Sequence, residues 1–174
     1  MKLWVLLILF IFEVGAEELA DGGGKNLFIL SGQSNMAGMD PAISFTPAVT
    51  KAFGKENIIV AKSAYSGASI RSWAKTNHED PPPTRGRVPK VRGPFYDTLI
   101  KKVKSAIKGQ SLQTVTLVWM QGESDLNNTA YEAYLRELLE QLQSDLAFKT
   151  INIVIGRISD SGLDNPKRLD GRLN

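Results

Sequence analysis

The stretch Phe28 to Gly38 (FILSGQSNMAG) runs apolar to Leu30 and then stops at Ser31-Gly32. Ser34 is the residue to weigh for chemistry. A serine just beyond a strand, two residues after a glycine that permits a sharp turn, is placed to attack an acyl carbon. A helix beginning there would favour a developing alkoxide. The pattern is not G-x-S-x-G, because Met36 takes the place of the second glycine. Acyl transfer also needs donors aimed at the oxyanion. Two further segments offer them: Ser63-Ala64-Tyr65-Ser66-Gly67-Ala68-Ser69, and Gln121-Gly122-Glu123-Ser124-Asp125. The backbone N–H of Ser34, that of Gly67 and the side-chain amide of Gln121 are the candidate donors. A glycine at 67 would let the backbone come close. Serine and glycine are also ordinary turn residues, so spacing alone leaves a turn role and a catalytic role both open.

These segments must be positioned by the elements that precede them. Residues 26–30, 57–61, 114–120 and 151–155 are apolar runs without polar alternation, which suits strands of a parallel sheet covered on both faces. Helical spacing separates them. Phe95 to Ile107 repeats Leu99, Val103, Ala106 and Ile107. Tyr131 to Leu146 places Leu135, Leu138, Leu139, Leu142 and Leu146 on one face. Thr129 with Glu132 has the form of a capping box at the start of that helix. Alternating strand and helix predict a layered α/β fold with right-handed crossovers. In such a sheet ligands bind beyond the carboxyl ends of the strands, and the three small, polar, glycine-containing segments should converge on that edge. Asp80 to Pro94 holds five of the eight prolines and reads as a long loop. Its cations Arg85, Arg87, Lys90 and Arg92 read as solvated loop charges, with an anionic ligand as the sharper alternative.

Composition narrows the function. The 174 residues suit one domain. A formal charge of +3 is too weak to indicate nucleic acid, and no aromatic–basic interleaving supports it. There is no cysteine and only one histidine, His78, so disulfides, thiol chemistry and a histidine-rich metal site are excluded. No cofactor is implied. Lys2, the apolar run Leu3 to Phe12 and Val14-Gly15-Ala16 have the form of a signal peptide over residues 1–16, cleaved near Ala16. Residues 17–25 then read as an acidic, glycine-rich linker and 26–174 as the folded domain. The mature chain is expected outside the cell and free of the membrane. Asn127-Asn128-Thr129 would then be a glycosylation sequon.

Three blocks resemble those of the SGNH-hydrolase superfamily: Gly32-Gln33-Ser34-Asn35-Met36, Ser66-Gly67-Ala68-Ser69-Ile70 with Trp73 following, and Trp119-Met120-Gln121-Gly122-Glu123-Ser124-Asp125. The nearest branch is the sialate O-acetylesterase-like carbohydrate esterases, including carbohydrate esterase family six and its plant members. The resemblance runs from about Asn26 to about Ser159. It implies a flavodoxin-like three-layer α/β/α sandwich and removal of acetyl groups from sugars, so an acetylated carbohydrate is the implied partner. Ser34 would be the nucleophile, Gly67 would give an oxyanion N–H, and Gln121 would occupy the third-block oxyanion position. Asn35 and Glu123 would organise the loops.

The sequence departs from that family in one respect. The family carries a late D-x-x-H motif that supplies the base, and no aspartate in this sequence has histidine three residues on. A serine without a base is a weak nucleophile at neutral pH. The expectation is therefore a C-terminally shortened, slow esterase. The alternatives are a non-catalytic carbohydrate-binding remnant and a fold left with an exposed apolar face. His78, in a hydrophilic loop, is the one histidine available to substitute and reads as an ordinary loop residue.

Overall fold

The computed structural model describes residues 23–76, 93–126 and 128–156. Strands β1 (Lys25–Gly32), β2 (Ile58–Ala64), β3 (Leu112–Met120) and β4 (Asn152–Ile155) form one sheet. All its pairings are parallel, in the order β2-β1-β3-β4. Each strand falls on one of the four apolar runs. The anticipated signal peptide and the tail beyond 156 lie outside the described residues, and Lys25, the last residue of the expected linker, opens β1.

Burial on both faces explains why β1 lacks polar alternation. Leu27 and Ile29 join Val115, Leu117 and Trp119 of β3 in a core covered by α3 (Pro94–Ala106) and α4 (Tyr131–Leu146). Phe28, one residue out of phase, packs on the opposite face. Its ring lies 5.6 Å from those of both Phe45 and Phe53 in α2 (Phe45–Phe53). Helices therefore cover both faces of the sheet, as the alternation of elements predicts. Among the described residues β4 is an edge, and its Val154 and Ile155 are about half exposed.

The helices keep the expected apolar faces and differ from expectation at single positions. The buried face of α3 is Tyr96, Leu99, Ile100 and Val103, while Ala106 is exposed. On α4 the expected leucine face holds, with Leu138 and Leu142 buried and Leu135, Leu139 and Leu146 partly buried against the same core, and a tyrosine, Tyr134, joins it. The capping box does not form. The N-cap of α4 is Ala130, without a side-chain cap bond; Asn128 Oδ1 instead accepts from Ala130 N at 3.0 Å. Glu132, freed from capping, pairs with Arg136 one turn on at 2.6 Å. Sequence reading also passed over α2. Its Pro47 sits in the first turn, where a missing N–H costs nothing, and Gly54 closes it with φ +83°.

Candidate active site

Register decides where the three polar segments meet. Gly32 of β1 pairs with Ala64 of β2 on one side and with Met120 of β3 on the other. The chain leaves all three strands at the same level, so the loops starting at Gln33, Tyr65 and Gln121 share the carboxyl edge. Two backbone bonds continue the pairing past the strand ends: Tyr65 N donates to Gly32 O at 3.0 Å and Gln33 N to Met120 O at 2.8 Å.

Close packing at this edge fixes Gly32. Its φ is +135°, and a Cβ there would lie 2.1 Å from the carbonyl oxygen of Met120. Only glycine can pass the neighbouring strand so closely. The turn delivers Ser34 as the first residue of α1 (Ser34–Gly38), where it is exposed to solvent. At five residues this helix offers the free N–H groups of a first turn rather than a summed dipole. Met36 is fully buried beneath it and anchors the turn.

The first loop is tied to the third. Gln33, buried, uses Oε1 to accept from Ser124 N at 3.2 Å and from Gly122 N at 3.4 Å. Asn35 Nδ2 donates to Glu123 Oε1 at 2.6 Å. Asn35 and Glu123 thus stand in the loop-organising contact expected of them.

The second loop is tied to the third as well. Gln121 Nε2 donates to Ala68 O at 3.1 Å and to Asp125 Oδ2. Both amide protons therefore have internal acceptors, and the buried Oε1 has no partner. The amide orientation is set by chemistry, because a flipped carbonyl would face two acceptors. An oxyanion would have to compete with Ala68 and Asp125 for the Gln121 amide. Gly67 is exposed at φ +67°, and a Cβ there would meet nothing within 4 Å. Backbone conformation, not crowding by the protein, is what favours glycine at 67.

The sequence places Asp125 in the third block and assigns it no role. Its buried carboxylate accepts from Ser69 Oγ and Ile70 N, each at 2.8 Å, and from Asn128 Nδ2 at 3.1 Å. Arg71 Nη1 lies 3.5 Å away with its side chain 5% exposed. A buried carboxylate demands such partners, but which donors would surround it depends on loop paths that no spacing reveals. Behind the third loop, Trp119 Nε1 donates to Tyr131 O–H, and that hydroxyl donates to Gln121 O, both at 3.0 Å. Burial pushes the Tyr131 hydroxyl up to about 12, so it keeps its proton and remains a donor.

His78, the four cations of the proline-rich loop and the sequon residue Asn127 lie outside the described residues. Searches of curated proteins and of solved structures each returned no significant match. A family model described as carbohydrate esterase, sialic acid-specific acetylesterase, matches residues 37–170. That range takes in the second and third loops and begins just after Ser34. With more than half of the chain matched over an all-parallel α/β sheet, the chain belongs to this family of carbohydrate esterases.

Proposed function

We propose that the chain is a secreted serine esterase that removes O-acetyl groups from sugars. Ser34 Oγ attacks the acetyl carbonyl carbon and its proton passes to a base. The bond from that carbon to the sugar oxygen breaks as the base returns the proton to that oxygen, and water then releases acetate from the acyl-enzyme. The backbone N–H groups of Ser34 and Gly67 hold the oxyanion, and Gln121 of the third loop contributes a donor when its amide leaves Ala68 O or Asp125 Oδ2 for it. One observation carries the reading: three loops from different strands leave at one level and are cross-bonded through Gln33, Asn35, Gln121 and Asp125. A parallel sheet folds without such a polar clasp, and family membership supplies the ester chemistry. Secretion rests on the apolar N-terminal run and its small-residue site.

A second reading, a carbohydrate-binding form without turnover, is favoured by the lack of any D-x-x-H in the sequence. Turnover of p-nitrophenyl acetate and of an O-acetylated sugar separates the two. The 174-residue chain, shown to be folded by a cooperative thermal transition, is expected to be roughly a thousandfold or more slower than the same chain carrying an added D-x-x-H segment. Ser34→Ala should abolish the restored activity. No restoration by the added segment would favour the binding form. Brisk turnover by the chain alone, stopped by His78→Ala, would make His78 the base.

A further inference from the structure

We infer that Asp125 is a positioning residue of this site, whose carboxylate clamps the second loop to the third and so fixes the backbone from Gly67 to Ile70. Its bearing on catalysis rests on the esterase reading above; the clamp itself rests on geometry alone.

Five donors converge on one side chain that is itself 0% exposed. Oδ1 accepts from Ser69 Oγ, Asn128 Nδ2 and Arg71 Nη1. Oδ2 accepts from Ile70 N and Gln121 Nε2. Three of these donors, Ser69, Ile70 and Arg71, belong to the second loop or the 3-10 turn Ile70–Ser72 that ends it. Asp125 belongs to the third loop. No other described residue joins these two loops through so many bonds.

Only a carboxylate meets the requirement. An asparagine has the same shape but one acceptor oxygen, and its NH2 would face either the Arg71 guanidinium or the Ile70 N–H, which can only donate. A glutamate would carry the charge one methylene too far into a packed loop. The charge is tolerated in the interior because Arg71 is buried beside it and the other four donors complete its shell. The carboxylate also selects the state of Gln121. With Oδ2 and Ala68 O both accepting from Nε2, the amide nitrogen is turned toward the second loop and Oε1 is left as the free acceptor. Removing the charge releases both constraints at once.

The test uses the full chain and two readouts. The first is hydrogen exchange of the Ile70 amide by NMR, with Leu27 and Leu117 as core controls. The second is phosphonylation of Ser34 by a p-nitrophenyl alkylphosphonate. There the Oγ–P bond forms, the P–O bond to the aryl group breaks, p-nitrophenolate leaves and the serine proton passes to buffer. For Asp125→Asn the clamp predicts Ile70 exchange faster by roughly tenfold or more, unchanged core exchange, and slower Ser34 labelling. Ser69→Ala, which removes one donor, should move both readouts in the same direction by less, and it serves if Asp125→Asn does not fold. Unchanged Ile70 exchange in a folded variant overturns the proposal. So does an equal rise at Ile70, Leu27 and Leu117, which would mean a contribution to global stability only. If neither the unsubstituted chain nor the chain carrying the added D-x-x-H segment is labelled at Ser34 but Ile70 still responds, the esterase reading has failed and the clamp stands.

Discussion

Ser34 owes its place to a glycine two residues earlier. Gly32 lies against Met120 so closely that a single added methyl would overlap its carbonyl, and its φ of +135° is one that other residues rarely adopt. Gly32→Ala should therefore cost on the order of 3 kcal/mol or more, since strain and overlap add. Urea unfolding at constant m measures it. A loss under about 1 kcal/mol would mean that the β1–β3 approach is looser than described. Gly32, Ser34, Gly67 and Gln121 are legible in the sequence because three small, polar, glycine-containing segments follow three apolar runs, and a parallel sheet sends such segments to one edge. Asp125 was harder to see. Its role depends on Ser69 and Ile70, more than fifty positions away in sequence, and no local pattern announces such a meeting.

Elements carry the site by holding α3 and α4 on one face of the sheet. Tyr96 of α3 donates to Asp145 of α4 at 2.7 Å, and Lys104 of α3 pairs with the same carboxylate at 2.9 Å. The Tyr96 hydrogen bond, then that of Lys104, hold the Asp145 carboxyl below its ordinary value of 3.8. A folded value below the unfolded one means that the stabilisation is present above the unfolded value and is lost as pH falls through the folded one. Melting temperature should fall more steeply in the original chain than in Asp145→Asn as pH drops from about 4 toward 2. Parallel acid limbs in the two proteins would remove Asp145 from the account. The helix and its apolar face were legible as a 3.6-residue period, whereas the polar link between helices was not. Likewise the apparent Thr129–Glu132 box gave way to Asn128, whose two-ended amide serves both Ala130 N and Asp125.

At the scale of the molecule, the fold follows from which apolar runs lack alternation. Four such runs mark the four strands, and for the central strand β1 burial on both faces is the physical reason it carries no polar side. Strand order and register are long-range properties, and they alone bring residues 32–35, 65–70 and 121–125 to one edge. Family membership then makes ester hydrolysis the chemistry to test at that edge. The most direct measurement is the site of covalent modification after prolonged treatment of the folded chain, carrying the added D-x-x-H segment, with a p-nitrophenyl alkylphosphonate, read by peptide mass spectrometry. The account predicts one phosphonyl group per chain, on Ser34, and none in Ser34→Ala. Modification of Ser66, Ser69 or Ser124 instead, or none in a chain that still unfolds cooperatively, would contradict it.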